Sequence, residues 1–386
     1  MRLVKRMFQE LFSVLIDRDL IILLLAGPIA LTIIFGGVYL NNYINDIPVA
    51  VLDEDNSSLS RMVVNQFREH ERFSVKYEVS TRQELHDIIN KRKAYMGLYI
   101  PSGFSKDAVT GKSTEAVVLI DGSNIVVGNN SLAAATSIIQ TVSAGISIKI
   151  MEGNGVAPNT ANDMARAFTF NERVVYDPRM TYLNYMLFGF IAVFLQQVML
   201  SGVGISVIKR SEHISSGKTF LKLIARISSC AFFAFISTSA AVATAVYFFK
   251  VPLRGSLLSA FLMSALFAAA ISCPAIIIAS LVRDKLKMAQ VSFMLSLPTF
   301  ISCGYVWPQD QMPQNLVLGI KMFWPLAFFA RNFDELLMKG LDISCFKQDI
   351  IGMLLYIAFW FPVGFVVYKL RFRKTQQDKS LVKCEA

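Results

Sequence analysis

The sequence predicts an α-helical integral membrane protein with six transmembrane helices and an inserted extracytoplasmic α/β domain. Three observations carry that expectation. Six apolar runs free of Asp, Glu, Lys and Arg cover Leu20–Leu40, Tyr182–Ile208, Ile227–Phe249, Gly255–Val282, Met288–Trp307 and Ile350–Tyr368, each about the ~20 residues that cross ~30 Å of hydrocarbon. Between the first two runs lies a long segment, 41–181, in which short strand-like and helix-like stretches alternate, the pattern of a small α/β domain. The charge distribution then sets the topology.

A net charge of +10 in a soluble protein would suggest a nucleic-acid partner. Here the amino end, the segment 209–226, the link 283–287 and the tail from Lys369 together hold 18 Lys and Arg against 7 acids. Segment 41–180 holds 14 against 16, and the remaining links 6 against 5. Short basic loops stay cytoplasmic whereas long domains cross regardless of charge, so both termini are expected in the cytoplasm. Because the bases flank membrane ends and form no aromatic-interleaved stripe, no nucleic-acid partner is expected.

In chain order, residues 1–19 form an amphipathic helix. Leu3, Met7, Leu11 and Leu15, with Val4, Phe8 and Phe12, oppose Arg2, Lys5, Arg6, Gln9 and Glu10, a pattern suited to the bilayer surface. It serves as a platform for a cytoplasmic partner or as a simple anchor. The first span, 20–40, leads into the outer domain, 41–181. There Pro48–Leu52, Phe73–Tyr77, Tyr95–Ile100 and Ala116–Ile120 read as strands, and a helix capped by Asn56 or Ser57 follows the first. Thr81–Arg92 reads as a second helix and Asn124–Met151 as a long third one. None of the five cysteines lies in this domain, so packing must hold it. The acidic turn Asp53, Glu54, Asp55 lacks the spacing of a calcium loop and reads as a solvated turn.

Residues 182–370 carry five further spans, with the cytoplasmic loop 209–226 and an external segment, 308–349, expected to be re-entrant or interfacial. Within it Leu316–Ala330 is apolar but is interrupted by Lys321 and Pro325 and is too short to cross. Small residues four apart, Ser237, Ala241, Ala245 and Ser264, Ala268, Ser272, mark helix-packing faces. Residues 371–386 form a cytoplasmic tail.

The chemistry the spans lack is equally informative. A carrier coupled to protons or sodium needs ionisable or unwound elements at mid-membrane, yet no run contains an acid, and His70, His86 and His213 lie outside them. Gly217-Lys218-Thr219 and Gly111-Lys112-Ser113 imitate the end of a phosphate-binding loop, but its first glycine is replaced by Glu212 and Lys106. No enzymatic role and no cofactor are expected in this chain, so any driving force comes from another one. Gln196, Gln197, Gln290 and Tyr305 are the candidates for lining a pathway, although interhelical hydrogen bonding is the commoner role of such residues.

Several phrases, in this order along nearly the whole chain, resemble the permease subunit of ABC-2 exporters. They are Gly27-Pro28, Ile47–Ser57 with Leu59-Ser60-Arg61, Tyr99–Phe104, Asp121–Asn124, Tyr176-Asp177-Pro178, Leu297-Pro298, Trp307-Pro308 with Met312-Pro313, and Trp324-Pro325-Leu326. The resemblance implies half of a dimeric pore, paired with a second copy or a paralogue. It also implies separate ABC ATPase subunits that bring ATP and Mg, and residence in a bacterial plasma (inner) membrane, with a periplasmic adaptor as a further candidate partner. The family's Arg/Lys-Glu-x-x-Gly-Thr phrase, which touches the ATPase, survives here in Lys209, Arg210, Glu212, Gly217 and Lys218, and Asp177 replaces its usual Asn. Apolar spans suit amphipathic, drug-like or lipid-like cargo. The alternative is a non-transporting receptor or scaffold with a sensing outer domain.

Overall fold

The computed structural model describes residues 2–40, 44–110, 112–165, 173–178, 180–209, 219–282 and 284–384. Two compact units divide the chain: 1–42 with 174–386, and 43–173. The second unit therefore interrupts the first in sequence.

The elements run α1 (Arg2–Ile16), α2 (Arg18–Val38), β1 (Ile47–Asp53), α3 (Ser58–Glu69), β2 (Phe73–Glu78), α4 (Arg82–Asn90), β3 (Met96–Ile100), α5 (Phe104–Val109) and β4 (Val117–Ile120). They continue as α6 (Ile125–Gly153), α7 (Pro158–Ala165), α8 (Tyr182–Lys209), α9 (Thr219–Ala243), α10 (Leu257–Leu281), α11 (Lys285–Ser302), α12 (Gln314–Phe323), α13 (Ala330–Asp334) and α14 (Lys347–Cys384). Short π-helical stretches lie within α2 at Ile22–Ala26, after α9 at Thr244–Phe248 and after α13 at Glu335–Lys339.

In the second unit the strands order β2-β1-β3-β4, with β1 parallel to β2 and β3, and β4 antiparallel to β3. They fall where the alternation of the sequence puts them. Val49, Val51, Met96 and Leu98 face Phe67 of α3 and Val127, Ile138 and Val142 of α6 on one side of the sheet, while Ala50, Leu52 and Tyr99 meet Leu85 of α4 on the other. Ser57 and Ser60 cap α3 reciprocally. The acidic turn is committed to backbone groups and hydroxyls. Asp53 accepts from the amides of Asp55 and Asn56 and from Ser60 Oγ, Asp55 from those of Gly103 and Ser105, and Glu54 from the Tyr99 hydroxyl.

The first unit is a helical bundle around α8, nine-tenths of whose apolar stretch is buried, with α2, α9, α10 and α11 packed against it. Among the described residues six helices are long and apolar enough to cross a membrane, and five coincide with expected spans. The differences lie at α11 and α6. The fifth expected span, Met288–Trp307, is an 18-residue helix, Lys285–Ser302, whose chain turns at Gly304 (φ +90°), and Gln290, Ser292, Ser296 and Thr299 dilute its apolar character. The sixth helix in the structural set is α6 of the second unit, whose apolar face is spent on the sheet.

Two breaks shape the bundle. Pro28 has no amide to give, and in the π-helical turn preceding it the Leu25 carbonyl accepts from Ser237 Oγ of α9 at 2.9 Å. The segments Gln314–Phe323 and Pro325–Lys339 meet at an angle of 111°. The connection between α9 and α10 docks on the second of them, where the amides of Arg254 and Gly255 donate to the Leu337 carbonyl at 2.9 and 3.0 Å. A Cβ at Gly255 would lie 1.8 Å from the Leu336 carbonyl oxygen. Gly255→Ala is therefore expected to destabilise the bundle by about 1–3 kcal/mol, read as an earlier thermal transition of the detergent-solubilised protein by size exclusion. Gly122→Ala, with open space around its added carbon, is expected to leave that transition in place.

Candidate functional site

One end of the first unit gathers charges that the sequence scatters over most of its length. α1 ends at Ile16, and Asp17 caps α2 by accepting from the Leu20 amide. The same carboxylate takes the Lys209 ammonium at the end of α8, at 2.7 and 2.8 Å, and Lys209 also reaches Asp19 at 3.2 Å. Asp19 in turn meets Lys285 of α11 at 3.1 Å. Lys209 and Asp17 are about four-fifths buried, whereas Asp19 and Lys285 are well exposed. The first pair therefore carries most of the energy, and the second adds little.

A second link lies deeper. Arg226 of α9, only 3% exposed, is 3.6 Å from Glu10 of α1 and 3.5 Å from the Tyr368 hydroxyl of α14. Arg371 of α14 donates to the carbonyls of Ala279, Ser280 and Val282, which end α10. At the start of α11 Asp284 caps the helix, and the amides of Lys287 and Leu286 hold its carboxyl below the usual carboxylate range. The stabilisation this gives is full above the unfolded pKa of ~3.9 and is lost as pH falls through the lowered folded value. α1, α2, α8, α9, α10, α11 and α14 are thus tied at one end by side chains.

Of the expected ATPase-contact residues, Lys209 is described and is engaged with Asp17 and Asp19. Arg210, Glu212, Gly217 and Lys218 lie outside the described residues. Sequence reasoning missed Asp17, Asp19, Glu10, Arg226 and Arg371 as a set. The available signal was that acids at the edges of apolar runs in otherwise basic flanks have a partner to meet.

The expected pathway residues divide. Gln196 is fully buried, donates to Thr299 Oγ1 of α11 at 3.0 Å and accepts from Trp324 Nε1 at 2.7 Å. Gln197 donates to Ser201 and accepts from Ser296 of α11. Tyr305 stacks on Tyr185 at 5.4 Å, and each hydroxyl donates to the other's carbonyl. Gly189 makes room for that ring, since a Cβ there would fall 2.2 Å from it. These three side chains are interhelical ties, while Gln290 is exposed on α11 beside Phe293, Met294 and Leu297.

The break at Trp324 is bonded from several elements. α14 supplies Trp360 Nε1 to the Met322 carbonyl at 2.7 Å and the Tyr356 hydroxyl to that of Phe323 at 3.0 Å. Gln309 Nε2 donates to the carbonyls of Cys303 and Ala327, both at 2.8 Å. Asp349 receives Lys321 at 3.1 Å and Asn332 at 2.7 Å. Asp177 accepts from the Thr181 amide at 2.9 Å and from Asn184 Nδ2 at 3.0 Å, fixing the start of α8.

An ABC-2 family transporter model matches residues 18–366, from the capped start of α2 into the last long helix. The chain belongs to the ABC-2 transporter family. It is 21% identical over 343 residues to the probable multidrug ABC transporter permease YbhR of Escherichia coli strain K12, covering 86% of this chain and 88% of that protein. To the inner membrane transport permease YhhJ of the same strain it is 22% identical over 352 residues, covering 86% of each. A part of it, 55%, aligns at 21% identity with 30% of ABC transporter G family member 20 of Dictyostelium discoideum. This is a multi-pass membrane protein and the permease subunit of an ABC transporter.

Replacing Lys209 by Met or Asp17 by Asn is expected to cost about 2 kcal/mol each. The double variant is expected to cost clearly less than the sum, as a thermal double-mutant cycle in detergent would show. An additive cycle would mean that the two groups are not coupled.

Proposed function

We propose that this permease is half of an exporter's translocation pathway, completed by a second copy or a paralogue and driven by ATP and Mg bound in separate ABC ATPase subunits. In this reading both termini and the loop 209–226 are cytoplasmic, unit 43–173 is extracytoplasmic, and segment 308–349 is re-entrant. The basic flanks support the orientation. The bent pair supports the re-entrant reading, because its freed carbonyls are served by side chains of the protein, as hydrocarbon demands.

The observation that carries the mechanism is the Lys209–Asp17 junction. ATPases acting at the loop after α8 would push on a helix end already clamped to α1 and α2, so the displacement passes into the bundle as a unit. Arg210 and Lys218 are the bases we assign to the ATPase surface, and Lys209 holds the lever together. The exposed α11 face around Gln290 is the surface we assign to the pathway between paired permeases. Cargo is amphipathic, drug-like or lipid-like, which agrees with the multidrug name of one relative. A periplasmic adaptor would dock on unit 43–173.

Co-expression with a cognate ABC ATPase is expected to yield a complex whose ATP hydrolysis is vanadate-sensitive and moves cargo in vesicles. Reversing Arg210 and Lys218 to Glu is expected to reduce co-purification severalfold while leaving membrane insertion and thermal stability intact. A receptor or scaffold would show neither the complex nor the hydrolysis, and uphill pumping by the permease alone would refute the external motor.

A further inference from the structure

Two acids stand side by side in the external segment, and the structure treats them differently. Glu335 takes both neighbouring bases, Arg331 at 3.1 Å and Lys339 at 2.9 Å, and Arg331 reaches Asp310 as well, at 3.7 Å. Asp334 takes neither. Among the described residues it enters no ion pair, and its Oδ1 is buried without a hydrogen-bond partner, although the residue as a whole is partly exposed. α13, which carries it, packs against α8, and the side chain that meets its carboxyl is Tyr305. The Tyr305 hydroxyl donates to the Tyr185 carbonyl, so its oxygen has only lone pairs left for Asp334. A carboxylate would set acceptor against acceptor there, whereas a neutral acid donates its own O–H to that oxygen.

The surroundings favour the same form. Around Asp334 stand Tyr185 of α8, Cys303 and Tyr305 after α11, and Arg331, Glu335 and Lys339 of its own segment. α10 carries no Asp, Glu, Lys, Arg or His, and Arg254 of the connection before it lies over the Tyr176 ring at 5.8 Å. Burial first, and the Glu335 charge second, push the Asp334 carboxyl up to about 7. We propose that Asp334 is a proton-binding latch between the external segment and the start of α8: protonated, it is held on Tyr305 while Tyr305 holds Tyr185, and ionised, it draws the Tyr305 hydroxyl away from the Tyr185 carbonyl. The proton leaves to water, and one of the two hydrogen bonds that join Tyr185 and Tyr305 is lost with it. That this water is extracytoplasmic rests on the proposed orientation, whereas the site itself does not and is read in detergent.

An acid whose folded value is raised stabilises the fold fully below its unfolded value of ~3.9, and that stabilisation is lost as pH rises through about 7. The test uses the full chain in an ester-free maltoside detergent. Its thermal transition is expected to fall by several degrees between about pH 5.5 and about pH 9, and that of Asp334→Asn, neutral throughout, to fall much less. Infrared difference spectra across the same range, where ordinary carboxyls are already ionised, should show the carbonyl stretch of a protonated acid that Asp334→Asn lacks. Tyr305→Phe should move the midpoint of that band up by about one pH unit, because a carboxylate loses more than a neutral acid when the hydroxyl goes. A wild-type transition that falls no further than that of Asp334→Asn would overturn the proposal. So would a missing band, a band that persists unchanged to the alkaline end, or a midpoint that Tyr305→Phe leaves in place. If Asp334→Asn does not fold, the wild-type band and its response to Tyr305→Phe decide the matter. A permease that couples to its ATPase but shows no such response overturns the latch alone. The response in a chain that pairs with no ATPase supports the latch and counts against the exporter reading.

Discussion

Hydrocarbon offers no hydrogen bonds, so each interruption of a helix within an apolar bundle must be answered by a side chain from somewhere else in the protein. The fold of the first unit follows from that constraint. In the π-helical turn before Pro28 the Leu25 carbonyl accepts from Ser237, which α9 brings to it. The 111° bend at Trp324 exposes the carbonyls of Met322 and Phe323, and α14 brings Trp360 and Tyr356. Gln196 completes Trp324 from the middle of α8. The irregular places are therefore where the helices are most specifically joined, because polar bonds there fix rotation and height, which apolar packing leaves freer.

At the charged end the same logic works with ions. Lys209 and Arg226 each meet an acid of the amino-terminal segment, so α1 and the start of α2 are held to α8 and α9 by groups whose separation would leave buried charge unpaired. A bundle joined in this way at one end of α8 and by Tyr185 and Tyr305 near the other has its central helix tied by polar bonds at both ends.

The class of the fold was legible because it depends on runs. Charge-free stretches reveal spans, and alternation reveals the strands β1 to β4. The apolar helix α6 and the diluted helix α11 show where that legibility ends, for an apolar count does not say whether a helix faces lipid or a sheet. Partners were less visible. Asp17 and Lys209 are separated by 192 positions and Gln196 and Trp324 by 128, and neither pair shares a local pattern. Gln196, Gln197 and Tyr305 were visible as polar residues in oil, but their bonds to Thr299, Ser296 and Tyr185 require the packing of α8 against α11. The Asp177 substitution was visible as a departure, and its bonds to Thr181 and Asn184 show a carboxylate capping a helix start.

The length and apolarity of α6 have a consequence for how the chain is made. A nascent segment of 29 residues with that composition resembles a stop signal to the insertion machinery, although its final place is against β-strands. Asn129, Asn130, Gln140 and the serines along it lower its preference for oil. Exchanging a few of them for leucine would make the segment still harder for that machinery to tell from a true span.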